Sequence, residues 1–134
     1  SSEHKAFEKS KLLYGLNIVK QHIKQYNSII IVEGQMDVIA LRRLGMPIGV
    51  ATCGTALTND HLKLIKRYTE NVFLLFDNDD AGQEATLRAL NVAYQNSIFP
   101  KKINLPKEYK DCDHVANVEN GKEILQQSMQ EAKD

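Results

Sequence analysis

Apolar residues in this chain alternate between helical and strand-like spacing. Residues 8–25 carry Leu12, Leu13, Leu16, Val19 and Ile23 at helical intervals, which predicts an opening helix. Ser28–Val32 is an uninterrupted β-branched run, the pattern of a strand buried on both faces. Met36, Val38, Ile39, Leu41 and Leu44 predict a helix over about residues 35–44, with Gly45 as its stop. Pro47–Ala51 reads as a second strand, and CGTAL as a glycine-containing loop. Thr58 is the expected N-cap of a helix reaching Tyr68, with Asp60 favourable near its positive end. Asn71–Phe76 follows as a third strand and residues 81–96 as a helix. Lys102–Leu105 reads as a fourth strand, moved towards an edge by Pro100 and Pro106. A last helix is expected from Glu119 to Ala132.

Strand and helix in alternation predict an α/β fold, a roughly four-stranded and mainly parallel sheet with helices on both faces. Ligands of such sheets bind beyond the carboxyl ends of the strands. Glu33 and Asp77 each follow their apolar run at once, so both belong on that rim.

Composition narrows the class. The 134 residues are 43% hydrophobic, enough for one domain with a real core. Seventeen basic and seventeen acidic residues cancel, so no global positive field advertises a nucleic acid. The basic residues are uneven, with Lys5, Lys9, Lys11, Lys20 and Lys24 crowding the first quarter. Cys53 and Cys112 form neither a zinc spacing nor a disulfide framework, and a reducing, cytoplasmic compartment is the expectation. No apolar run approaches the roughly 20 residues that cross a bilayer, and no signal peptide is expected before the first helix. A soluble chain without membrane contact is therefore expected.

Six carboxylates fall in three short clusters: Glu33 and Asp37 in VEGQMD, Asp77 and Asp79 in FDND, Asp111 and Asp113 in KDCD. Carboxylates gathered at strand ends repel, and a cation between them relieves the repulsion. Hard oxygen ligands at this density suit Mg²⁺ or Mn²⁺ rather than zinc, and such ions complete their shell with water and substrate phosphates. Each cluster also has a plainer reading. An acidic residue after a strand is commonly a solvated turn. Asp79 or Asp80 can cap the helix that follows, Asp80 being the better candidate. DCD taken alone reads as a loop. His61 and His114 read as surface residues, Lys63, Lys66 and Arg67 as a solvated helix face, and Cys53 as a small buried apolar side chain. Leu13 and Tyr14 read as core, and the GTALT run lacks the spacing of a phosphate-loop lysine motif.

The order and spacing of the three clusters resemble the Toprim domain, with a glutamate after the first strand and DxD after a later one. The stretches FEKSKLLYGL, IIIVEGQMDVIAL, GVATCGTALTNDHLKLI, VFLLFDNDDAGQEATLRAL and KDCDHVANVENGKE are similar to the catalytic core of DnaG-type bacterial primases. They span nearly the whole chain. The KSKLLYGL helix and the DxD–V–GKE tail separate primases from topoisomerase, recombination and nuclease relatives. The resemblance divides the chain into an N-terminal helical lead-in (1–27), a Toprim domain (28–118) and a C-terminal helix (119–134).

The resemblance implies that Glu33, Asp37, Asp77, Asp79, Asp111 and Asp113 form an acidic site for Mg²⁺ or Mn²⁺, with Glu33, Asp37, Asp77 and Asp79 catalytic. It implies a functional role for Lys9, towards phosphate. The implied activity is RNA-primer synthesis from ribonucleoside triphosphates on a single-stranded DNA template. A replicative helicase would be engaged through a C-terminal domain that, like the zinc-binding domain, lies outside this chain. A monomer with little or no activity of its own is expected of such a piece. Departures from the family pattern are Gln35 for an aromatic residue, Asn78 for glycine, Asp80 for a basic residue and Cys112 for proline. Two alternatives stand beside this reading: a small Toprim nuclease, and a non-catalytic module that bridges protein partners.

Overall fold

The computed structural model describes residues 12–133, so Lys5, Lys9, Lys11 and the first part of the expected opening helix lie outside the described residues. Within them the order is α1 (Leu16–Tyr26), β1 (Ile29–Val32), α2 (Gln35–Arg43), β2 (Gly49–Ala51) and α3 (Asn59–Lys66). There follow β3 (Val72–Leu74), α4 (Asp80–Gln95), β4 (Lys101–Lys102), α5 (Cys112–Ala116) and α6 (Gly121–Gln130). The four strands lie in the order β2-β1-β3-β4, and every neighbouring pair is parallel.

The β-branched run of β1 explains its central place. Ile30 and Val32 enter a cluster with Val38, Leu41, Val115 and Leu125 of α2, α5 and α6. Ile29 and Ile31 enter a second cluster on the opposite face, with Val19, Leu62, Ile65 and Ala89 of α1, α3 and α4. All four β1 side chains are buried, and each isoleucine so placed stabilises the fold by about 1.5–3 kcal/mol. The expected double-sided burial is therefore observed.

Both sheet edges are closed by single antiparallel bridges, Tyr14 to Ala51 beside β2 and Lys102 to Lys133 beside β4. The fourth strand is shorter and earlier than the expected Lys102–Leu105. Its N–H groups alternate in direction: Lys102 donates outwards to the Lys133 carbonyl at 2.7 Å, and Ile103 donates inwards to Leu74. Leu12 lies before α1 and is exposed, outside the stripe in which its spacing placed it. Gly45 ends α2 at φ 77°, as expected, with its N–H on the Arg42 carbonyl. Among the described residues no helix is long and apolar enough to cross a membrane.

Two further expectations are corrected. Cys53 is exposed, at φ 53°, because the chain turns out of β2 there before a core position is reached. His61 is wholly buried: its Nδ1 accepts from Thr58 N–H at 3.0 Å while its own N–H donates to the Thr58 hydroxyl. A histidine at the third helical position thus completes the cap from inside the core, which its polarity alone did not suggest.

Candidate active site

Chain path fixes where the carboxylates gather. From β1 the chain runs through α2 to β2 on one side, and from β3 through α4 to β4 on the other. The adjacent ends of β1 and β3 therefore form the switch point at which doubly wound sheets bind ligands. Glu33 leaves β1 there and Asp77 lies just past β3. Glu33 Oε1 accepts the Asp77 N–H at 2.8 Å.

Helices that follow strands start on this same rim, so their positive ends face it. Asp37, in the first turn of α2, accepts the Gly34 N–H at 3.2 Å. Asp79 is the N-cap of α4, its Oδ1 accepting Gly82 N–H at 2.7 Å. This corrects the preference for Asp80, which is already the first helical residue with its side chain exposed. Asp111 caps α5 through the His114 N–H at 2.9 Å, so DCD opens a short helix and is not a loop. His114, exposed as expected, belongs to that helix. Asp113 meets Arg43 at 3.9 Å in a pair open to solvent.

Two features of this rim escaped the sequence. Gly82 packs so tightly that an added Cβ would overlap the Asp77 carbonyl oxygen, which binds the start of α4 to the strand end. A glycine just inside a helical pattern was the available signal. Asn78 is a staple: its Nδ2 donates to the Tyr109 carbonyl at 3.1 Å and reaches Leu105 O at 3.4 Å. It ties the Asp77–Asp79 turn to the segment that delivers Asp111.

Electrostatics define the cluster. Burial raises the Asp37 carboxyl to about 6, helped by the charges of Asp77, Asp111 and Glu33 and opposed by the Gly34 bond. Asp77 is also raised, first by burial and then by Glu33, Asp111 and Asp79, with Lys110 opposing. The charges of Glu33, Asp79 and Asp111 thus act on Asp37 or Asp77, while Asp113 is not among the charges raising either residue. Burial chiefly, then Asp37, Asp111 and Asp113, push the Cys112 thiol up to about 12, which makes it an inert core residue.

Among the described residues no three such side chains form a ready cage for a metal ion. Four of the carboxylates are turned onto backbone N–H groups. The donor set nevertheless fits a hard divalent cation. Its donors are all carboxylate oxygens, their negative charge is in excess, and Mg²⁺ characteristically takes only one or two carboxylates beside water and phosphate.

On the other side of Glu33 a cleft of about 320 Å³ opens between the loop after β2 and α4. Ile31, Phe76, Leu57 and Ala85 make it largely apolar, and Thr52, Thr55 and Arg88 bring polar groups.

A parallel sheet with acidic residues at its switch point is the Toprim arrangement, and the Toprim-like family model matches residues 30–116. The chain belongs to that family. Within it, the similarity is to bacterial DNA primases: 44% identity over 133 residues to that of Clostridium acetobutylicum, covering 98% of this chain and 22% of that protein. The Campylobacter jejuni DNA primase is 40% identical over 122 residues, 91% of this chain and 20% of the relative. Among solved structures, the zinc-binding and RNA polymerase domains of the Aquifex aeolicus primase superpose with a TM-score of 0.84 at 34% identity, over 92% of this chain and 30% of that one. A DnaG primase catalytic domain bound to single-stranded DNA gives 0.80 at 37%, over 93% and 40%. The chain spans about a fifth of the length of the curated relatives it matches.

Proposed function

We propose that this chain is the nucleotidyl-transfer portion of a bacterial replicative primase, which joins ribonucleotides into short RNA primers on single-stranded DNA. The observation that carries the reading is the Asp77 N–H bond to Glu33 across the switch point, with Asp37, Asp79 and Asp111 each held by a backbone N–H at the start of a helix, in a chain related to DNA primases over almost its whole length. The reaction is attack of a primer 3′-hydroxyl on the α-phosphate of a ribonucleoside triphosphate, with pyrophosphate leaving. Mg²⁺ or Mn²⁺ held by Glu33, Asp77 and Asp79 would lower the pKa of that hydroxyl and offset charge on the triphosphate.

The chain's own residues position these groups. Asp79 and Glu33 are oriented by backbone N–H groups of the rim, so their carboxylates are held before any ligand arrives. Asp37 retains a proton up to about pH 6 and must release it to serve as a ligand. Asp111 and, after leaving Arg43, Asp113 would act through water or at a further ion. Lys9, outside the described residues, would meet a phosphate. Single-stranded DNA as partner is supported by the relative that binds it. The helicase would be reached through a domain beyond this chain.

A segment exchange tests the proposal. The matching region of the C. acetobutylicum primase is replaced by this chain, and extension of ribonucleotides on single-stranded DNA is measured with Mg²⁺. Primers should form, and Asp79→Asn in the exchanged segment should abolish them. Cleavage of the DNA without primer synthesis would point instead to a nuclease, and neither activity to a non-catalytic module.

A further inference from the structure

The carboxylate rim accounts for only one side of Glu33. A cleft borders its other side. Ile31 of β1 and Phe76, two residues past β3, line it together with Leu57 of the loop and Ala85 of α4. Ala85 and Ala89 lie one turn apart on α4, and their short side chains leave the space that a longer residue would fill. Cys53 and Gly54 adopt consecutive left-handed conformations, φ 53° and 90°, that turn the loop sharply after β2. Within that loop the Thr55 hydroxyl donates to the Thr52 carbonyl at 3.2 Å, which fixes the turn and leaves the Thr55 oxygen free to accept a hydrogen bond.

We propose that this cleft is a nucleobase site beside the carboxylate rim. The inference rests on the nucleotidyl-transfer reading above and assigns that reaction a second set of residues. Apolar walls with one aromatic ring suit the face of a base, since base stacking is tolerant of sequence. The threonines offer hydrogen bonds to its edge. A volume near 320 Å³ is at the lower end for ligand sites, room for one base with part of its sugar. Glu33 lines both the cleft and the rim, so one molecule can span them. Arg88 stands beside the cleft in an exposed pair with Glu84 at 4.0 Å. Such a pair holds its partners weakly, so the guanidinium is free to turn to a phosphate or to a base plane. The base could come from the incoming ribonucleotide or from the template strand, and both sources present the same face and edge.

Amide and methyl resonances of the 134-residue chain separate the cases. Three probes are titrated with Mg²⁺: ATP, inorganic tripolyphosphate, and a short single-stranded oligodeoxynucleotide. Tripolyphosphate should shift Asp77 and Gly82 at the rim and leave the Thr52, Thr55, Ala85 and Ala89 signals in place. ATP should shift both sets if the base is the incoming one. The oligonucleotide alone should shift the cleft set if the base is the template's. Ala85→Leu, which fills the cleft, should weaken the cleft-shifting probe roughly tenfold, about 1.4 kcal/mol, without changing tripolyphosphate binding. Phe76→Leu, which keeps apolar packing but removes the ring, should act in the same direction. If ATP shifts the rim while neither base-bearing probe moves the cleft, the nucleobase site is wrong and the phosphate site stands. If tripolyphosphate and ATP both leave the rim unmoved, the phosphate site falls, and the cleft assignment falls with it unless the oligonucleotide moves the cleft.

Discussion

Glu33 Oε1 accepts the Asp77 N–H at 2.8 Å, so the carboxylate leaving β1 is tied to the backbone leaving β3. The bond crosses the switch point and fixes the Glu33 carboxylate against the backbone that carries Asp77. Glu33→Gln keeps an acceptor and removes a charge that raises both Asp37 and Asp77. Its metal-free melting temperature should equal or exceed the parent's. Glu33→Ala leaves the Asp77 N–H without this partner, at a cost of about 1 kcal/mol. Calorimetry of both variants without divalent metal should show that contrast, and equal melting temperatures would remove the bond from the account.

Asp79 does two jobs that substitution separates. Asparagine is as good an N-cap as aspartate, whereas alanine costs about 1 kcal/mol. Asp79→Asn should therefore melt at or above the parent temperature without metal, yet lose stabilisation by Mg²⁺ or Mn²⁺. Asp79→Ala should be destabilised in either condition. Asp80→Ala, which removes no cap, should change stability little. A larger loss from Asp80→Ala than from Asp79→Ala would contradict the capping geometry.

Gly82→Ala should be the most damaging small change on the rim. The added methyl overlaps the Asp77 carbonyl, so α4 must shift or its first turn must open. Overpacking of this kind costs about 1–3 kcal/mol, more where backbone faces backbone. Urea unfolding measures it. A loss below about 0.5 kcal/mol, typical of a tolerated surface change, would mean that the contact yields easily.

Acidity acts on this domain with two opposite signs. The folded carboxyl of Asp37 lies near 6, above its ordinary 3.8, so the stability it contributes is full below about 4 and lost as pH rises through 6. The advantage of Asp37→Asn over the parent should thus grow between about pH 4 and pH 7. His61 is lowered from 6.5, chiefly by burial, so the fold has its full contribution above 6.5 and loses it as pH falls. His61→Gln, which retains a capping-box residue, should flatten that acid-side loss. Melting temperatures of the three proteins across this range resolve the two slopes.

Much of the architecture was readable because its signals are local and repeated. The buried run of β1, the helical stripe of α2 with Gly45 after it, and the Thr58 cap each state their structure within a few residues. The rim was readable from Glu33 and Asp77, whose positions at the ends of apolar runs project onto the carboxyl edge of a parallel sheet. What escaped depends on contacts between distant segments. His61 is buried at the start of α3, where Thr58 N–H bonds its Nδ1 and the Thr58 hydroxyl its backbone N–H, and Cys53 is exposed because the loop turns before packing. The five-residue α5 is too short to display a period, so Asp111 read as loop. Asp113 shares a motif with Asp111, but the helical turn between them sends it to Arg43.

The most direct test of the central claim is where Mn²⁺ binds. Added to the 134-residue chain, the paramagnetic ion broadens the resonances of amides close to it. At low Mn²⁺ the broadening should be confined to Glu33, Gly34, Asp37, residues 77–82 and the segment around Asp111, Mg²⁺ should reverse it by competition, and Asp77→Asn should abolish it. Broadening spread evenly over exposed carboxylates such as Glu70, Glu84 and Glu108, unchanged by Asp77→Asn, would contradict a divalent-metal site at the switch point.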